Sequence, residues 1–335
     1  TRLLTRPTSH SMESNTNSDT PRANGNWDSF WDASGSSGAF SSDGTDHPAL
    51  AGFWRELFEM AGRNNAAPRI ADLASGNGAV IAHALDVFDS QAADITAVDL
   101  SAKAITSIGE RFPGVAGVVA NALEVPLESS KYDVVTSQFG IEYAGAGAVD
   151  EALRLLAPGG YFAALLHHSG SAIHRDCAAG LDAVTRLLDA EFFPLAIDFF
   201  GKGFDALGGA DRAPYDAAAK RFNPAVKAVE SIFEAHGQDV AGGAVAQLYS
   251  DVSRMHQNIA QYDRDELLGW LQQMADRLGG YRGRMASMVA AAVDPDTFEQ
   301  ICEKIHKAGL ETGKGGPLHA PDQAAPLAWA LVVKS

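Results

Sequence analysis

Residues 70–79 read "IADLASGNGA", and the fold turns on how this stretch is interpreted. A short apolar run ends in Asp72 and passes into a tight Ala74-Ser75-Gly76-Asn77-Gly78 turn. Helical patterning then starts at Ala79. A strand, a glycine turn and a helix form one βα unit. Gly76 and Gly78 let the backbone approach a ligand closely, and the helix N-terminus behind them favours an electron-rich or anionic group. By itself the turn is compatible with an ordinary βα connection. A dinucleotide loop would place a third small residue three positions after the second glycine. Ile81 stands there, which disfavours NAD.

Working outward, the alternation continues. The pattern predicts strands "RIADLA", "DITAVDL", "VAGVVAN", "YDVVTSQF" and "YFAALLHH". Between them it predicts helices "GAVIAHALDVF", "SAKAITSIGERF" and "AVDEALRLL", with "APGG" as the break before the fifth strand. Upstream, "HPALAGFWRELFEMAG" carries Leu50, Phe53, Trp54, Leu57 and Phe58 at helical spacing. Short apolar strands alternating with amphipathic helices indicate a parallel sheet wound with helices on both faces. Residues 171–307 carry long helical patterns and no strand of comparable quality, and "PLAWALVVKS" returns to strand character at the end. The expected organisation is therefore a tail at 1–26, an α/β domain at 27–170 completed by 308–335, and a helical insertion at 171–307. The tail is Ser/Asn/Thr-rich and too poor in apolar residues to offset its ordering entropy. Met12 is taken as the natural start, with residues 1–11 extraneous. Trp27, Phe30, Trp31 and Phe40 on a Gly/Ser-rich background suggest a flap or a covering arm.

The chain has 335 residues, 46% of them hydrophobic, and a formal net charge of −16. So acidic a surface disfavours phosphate backbones and anionic lipids as partners. Cys177 and Cys302 are isolated, which points to a reducing, cytoplasmic setting. No apolar run is long enough to span a membrane and no secretory leader is evident.

Asp99 ends the second strand about twenty positions after the glycine turn, where an acid can accept hydrogen bonds from both ribose hydroxyls. Leu100 offers an apolar face to an adenine ring. Asp99 could instead cap the next helix, but Ser101 is placed to do so. Together "ADLASGNGA", "AVDLSAKAI", "NALEVPLESSKYDVVTSQFGIEY" and "LRLLAPGGYFAALLHH" resemble, in order and spacing, the motifs of class I S-adenosylmethionine-dependent methyltransferases. The resemblance covers about residues 68–168 and the final strand. It implies a Rossmann-like, doubly wound, mostly parallel seven-stranded α/β sheet, with a large helical cap inserted after the fifth strand. It also implies S-adenosyl-L-methionine as cofactor. Asp72, Ala74, Ser75, Gly76 and Gly78 would hold the methionine part, with Asp72 near the amino group. Asp99 would bind ribose, Leu100, Asn121 and Ala122 would meet the adenine, and Gln138 and Phe139 would lie beside the cofactor. Ala74 stands where the family often has Gly, and Asn121 where many relatives have Asp. No Asp-Pro-Pro-Tyr type sequence follows the fourth strand, which argues against DNA adenine or glutamine-amide methylation.

Reactive groups in such a sheet gather beyond the C-terminal ends of the strands. Gln138, Glu142 and Tyr143 follow the fourth strand, and His167, His168 and His174 follow the fifth. Adjacent histidines alternate across a strand end, so at most one of the two is expected to face the cleft. His168 is the first candidate for a base, with His167 and Tyr143 next. The spacing of these groups fits no standard zinc pattern, and no metal is expected. The aromatics of the insertion, from Phe192 to Tyr281, are mostly core, while Arg282 and Arg284 could hold a carboxylate. The expected activity is methyl transfer to O, N or S of a small organic molecule. A homodimer is compatible with it. The competing readings are a noncatalytic cofactor-binding module and an aminopropyl-transferring enzyme.

Overall fold

A computed structural model describes residues 47–88, 93–145, 147–321 and 324–335. The tail and the aromatic segment around Trp27, Phe30, Trp31 and Phe40 lie outside the described residues. The chain enters through α1 (Pro48–Asn64), where Pro48 occupies the first turn and the His47 ring accepts a hydrogen bond from the Ala49 N–H. Among the described residues seven strands follow: β1 (Arg69–Leu73), β2 (Asp94–Asp99), β3 (Ala116–Val119), β4 (Tyr132–Gln138), β5 (Leu156–His167), β6 (Glu311–His319) and β7 (Pro326–Lys334). Their order in the sheet is β3-β2-β1-β4-β5-β7-β6. The pairs among β1 to β5 are parallel, and β7 runs antiparallel to both β5 and β6. The helices between the first five strands are α2 (Ala79–Val87), α3 (Ala102–Arg111), α4 (Ile141–Ala144) and α5 (Gly147–Leu155).

Strand alternation puts two apolar layers on the sheet. Ala71, Val135, Phe162, Ala164, Leu166, Leu331 and Val333 pack on one face. Ile70, Val134, Ala163, Leu165, Ala328, Ala330 and Val332 pack on the other, against Trp54, Phe58 and Ile81 from α1 and α2. With both faces covered, the central strands read as nearly continuous apolar runs rather than alternating ones. The "APGG" stretch is absorbed into the start of β5, with Gly159 left-handed at φ 81°.

After β5 the chain leaves the sheet through α6 (Ala172–Asp189), α7 (Phe192–Leu207), α8 (Ala213–His236), α9 (Ala244–Gln257) and α10 (Arg264–Ala291). These helices carry their own apolar centre, with Phe192, Phe193, Phe199 and Phe200 buried and Phe222 packed against them. The last helix, α11 (Pro295–Lys307), belongs with the sheet instead: Phe298 and Ile305 pack into its apolar layer, and Phe298 stacks on Trp329 at 4.2 Å. The departure from the sheet is therefore shorter than the expected 171–307, because the chain returns at Val293. The Val293 N–H donates to the His167 carbonyl at 2.8 Å, and the Ser169 N–H donates to the Val293 carbonyl at 3.1 Å. The Trp329 indole N–H reaches the same carbonyl at 2.9 Å. Both stems of the helical segment thus meet at the end of β5. Among the described residues no helix is long and apolar enough to cross a membrane.

Candidate active site

The glycine turn sits at the C-terminal end of β1, flanked by β2 and β4. The Ser75 N–H bonds the Val98 carbonyl at 3.0 Å, and the Gly78 N–H closes the turn on the Ser75 carbonyl at 2.8 Å. Gly78 is left-handed at φ 83°, and a Cβ there would lie 2.6 Å from the Phe112 ring. Ala74 is also left-handed, at φ 52°, so the departure from glycine at this position carries strain of roughly 1–2 kcal/mol. Gly140, after β4, comes so close that its Cβ would be 2.4 Å from that of Ala74.

Two acids organise the turn. Asp99 accepts the Gly76 N–H through Oδ2 and the Ser101 N–H through Oδ1, both at 2.8 Å. The Ser101 hydroxyl caps α3 by accepting the Ala104 N–H, as expected. The carboxylate thereby fixes the turn and the start of α3. Asp72 is almost completely buried. Its Oδ1 accepts the Thr136 hydroxyl at 2.8 Å, while Oδ2 has no hydrogen-bond partner. Burial is the main cause that pushes its pKa up to about 7; the Thr136 bond opposes this and nearby Asp99 adds to it. A buried carboxylate with an unused oxygen beside a left-handed turn fits a ligand ammonium group.

The adenine-side residues take varied positions. Leu100 is 42% exposed, a large apolar side chain left at the end of β2, whereas Ala122 is buried. Asn121 is exposed, and its side-chain carbonyl accepts the Leu123 N–H. The connection that carries them is clamped to α5, a contact that sequence reading missed. Glu151 Oε1 accepts the Val125 N–H at 2.7 Å, and Arg154 pairs with Glu151 while donating to the carbonyls of Val125 and Leu127. The i, i+3 spacing of this acid and base on α5 was the available signal. Gln138 is engaged by α1, accepting the Trp54 indole N–H at 2.5 Å.

Beyond β4 and β5, the structure separates the two adjacent histidines. His168 stacks on Trp329 at 4.3 Å, and its Nδ1 accepts the Gly170 N–H at 2.8 Å. Burial, with His319 and His174 nearby, holds its pKa below the usual value. His167 points to the opposite side, where its ring meets Phe139 at 4.6 Å and the edge of Tyr143 at 5.7 Å. Its Nδ1 lies 2.6 Å from Glu142 Oε1. Of the two, His167 is therefore the one grouped with the residues that follow β4. Strand parity is the reason: even-numbered residues of β5 share the Trp329 face and odd-numbered ones the other. Burial and then the neighbouring Glu142 raise the Tyr143 pKa well above normal, so its hydroxyl stays protonated. Above α4, the helices α6 and α10 bring Cys177, Met285 and Met288 against Tyr143 and Tyr281. Arg284 lies half-buried beside Tyr281, its pKa lowered chiefly by burial.

Residues 71–164 match the model of a methyltransferase domain family. No curated protein matches the chain. Among solved structures, the chain is similar to an S-adenosylmethionine-dependent methyltransferase from Mesorhizobium loti, at 25% identity over 37% of this chain and 56% of that one, with a TM-score of 0.31. It is similar also to a SAM-dependent methyltransferase from Aquifex aeolicus, at 14% identity over 37% and 70%, TM-score 0.32. A complex of the Haloferax volcanii Trm112 methyltransferase activator with a methyltransferase gives 18% identity over 42% and 60%, TM-score 0.32. The chain thus spans 56% to 70% of the length of these structures. Over residues 71–164 the chain resembles the methyltransferase domain family, and the sheet order and the glycine turn accord with that match. S-adenosyl-L-methionine is the cofactor of that family, and the unused Asp72 oxygen suits its ammonium group.

Proposed function

We propose that the protein is an enzyme that transfers a methyl group from S-adenosylmethionine to O, N or S of a small organic molecule. The observation that carries this reading is the buried Asp72 carboxylate, with one oxygen unused, set against a glycine turn that Asp99 has already ordered. Asp72 and the amides of Ala74 to Gly78 would hold the methionine end, and Asp99 the ribose. Leu100, Asn121 and Ala122 would meet the adenine, with Gln138 and Phe139 alongside. When bound, the cofactor supplies an activated sulfonium methyl, so the protein's own task is to align the acceptor and exclude water. The helices α6 and α10, which pack over α4 at the strand ends, support acceptor binding in this region. Tyr281 and Arg284 offer an aromatic face and a cation there. Such enclosure suits a small acceptor better than a duplex, as does the net charge of −16. A reducing cytoplasmic setting is part of the same reading, since Cys177 and Cys302 are both free thiols.

Calorimetry with S-adenosylmethionine and S-adenosylhomocysteine tests the first half of this proposal, and binding of both is expected. Absence of binding at millimolar concentration would reject it. The second half is tested by incubating the protein with methyl-labelled cofactor and a metabolite extract. Label appearing in a small-molecule product is the expected result. Cofactor binding without any transfer would favour the noncatalytic reading instead.

A further inference from the structure

Glu142 and His167 form a hydrogen-bonded carboxylate–imidazole pair whose side chains are only 2% and 1% exposed. A pair so fully withdrawn from water is costly unless both members are well bonded. Here one carboxylate oxygen serves twice: Glu142 Oε1 accepts the His167 backbone N–H at 2.9 Å and faces the ring Nδ1 at 2.6 Å. An oxygen that already takes a backbone N–H is acting as an acceptor. Nδ1 therefore carries the ring proton, and the basic lone pair of the neutral imidazole falls on Nε2. The ring is held in place by Phe139 and by the Tyr143 edge. The same segment is joined to the glycine turn, because Gly140 approaches Ala74 too closely for any side chain. The pair thus stands one short helical turn from the candidate cofactor loop.

We infer that Glu142 is the positioning residue of a general base, His167, and that the acceptor is a small molecule bearing a hydroxyl. This rests on the methyl-transfer reading above. A thioether needs no base, whereas a hydroxyl must lose its proton as it attacks. In the step, the acceptor oxygen forms a bond to the methyl carbon while its proton passes to His167 Nε2. The carbon–sulfur bond breaks with its electron pair returning to sulfur, which leaves as neutral S-adenosylhomocysteine. Glu142 stabilises the imidazolium until the product departs and the ring gives up the proton. The other titratable groups around His167 are Tyr143 from α4, which stays protonated, and His174 from α6, whose pKa is lowered chiefly by burial and then by His167. Neither supplies the negative charge that Glu142 does.

The test is a nitrogen-15 NMR titration of the full chain, with His167 assigned through His167→Ala. The wild-type ring is expected as the Nδ1–H tautomer. In Glu142→Gln the amide oxygen still accepts Nδ1–H but carries no charge, so the His167 titration should fall by about one pH unit or more. A wild-type Nε2–H tautomer would overturn the inference without any variant being needed. An unchanged titration in a folded Glu142→Gln protein would overturn it as well. Calorimetry on both proteins separates this outcome from the broader reading. If neither binds the cofactor, methyl transfer fails while the titration still judges the pair. In the labelling experiment, label recovered as a methyl ether supports the hydroxyl assignment, whereas a methyl ester, formed from a carboxylate that needs no base, rejects it. Label recovered on nitrogen or on a sulfonium centre rejects it.

Discussion

Replacing Asp72 by Asn should make the protein without cofactor more stable at alkaline pH and less able to bind the cofactor. The Asp72 pKa is raised from 3.8 to about 7, with burial the leading cause. The folded chain then holds a proton that the unfolded chain has already lost between those values. Stability consequently falls as pH rises through this window and levels off above about pH 7. At about 1.4 kcal/mol per pH unit, the carboxylate costs the folded state about 4 kcal/mol once it is ionised. The Asn side chain carries no such cost, but its new buried N–H has no acceptor in place of Oδ2, a loss of about 1–3 kcal/mol. The variant should therefore exceed the wild type by about 1–3 kcal/mol at pH 8. Between pH 5 and pH 8 the gap should move in the variant's favour by about 2.5–3 kcal/mol. Urea denaturation of both proteins at pH 5, 6, 7 and 8 reads this directly. A gap that stays constant across the series would refute the idea that Asp72 is a strained carboxylate. Calorimetry should show weaker cofactor binding in the variant, by about ten- to a hundredfold, because a charged hydrogen bond is lost.

Asp99→Ala should weaken cofactor binding at least tenfold and also release the Gly76 amide, visible as faster hydrogen exchange in the turn; unchanged affinity would remove the ribose assignment. Gly140→Ala places a methyl 2.4 Å from the Ala74 Cβ. It should cost about 1–3 kcal/mol in thermal or urea denaturation, and an unaffected midpoint would show that the loop after β4 can retreat. His168→Ala should remove the stacking on Trp329 and lower stability while leaving methyl transfer largely intact. Loss of turnover at unchanged cofactor affinity would return the role of base to His168.

Much of the sheet was legible because parallel strands and their helices differ in period and because the glycine turn interrupts both. Asp99 could be placed because it ends a strand about twenty positions beyond that turn. Ser101 could be assigned the cap because a hydroxyl three residues before a free N–H does this locally. What escaped depends on contacts between distant parts of the chain. Thr136 reaches Asp72 only after β4 lies beside β1. The choice between His167 and His168 turns on which face of β5 meets the residues after β4, and Glu142 marks that face only once the chain is folded. The edge strand β6 was not located as a strand. Its sequence "ETGKGGPLH" has no apolar alternation and a single β-branched residue, Thr312, and antiparallel pairing with β7 forms it. The return of the chain at Val293 was equally hidden, because one valine between two helices gives no periodic signal. Its backbone bonds to His167 and Ser169 define the boundary.

Those bonds have a consequence for how this molecule varies. The helices from α6 to α10 rejoin the sheet through backbone bonds at the end of β5, and their apolar centre is built from their own phenylalanines. Substitutions in that centre therefore leave the β5–β7 ladder and the glycine turn untouched, and a different appendage could close over the same two stems. On the proposed function, acceptor choice and cofactor chemistry are in this sense separately inheritable. They meet at the last residue of β5, His167, whose carbonyl receives the Val293 N–H and whose ring rests against Glu142.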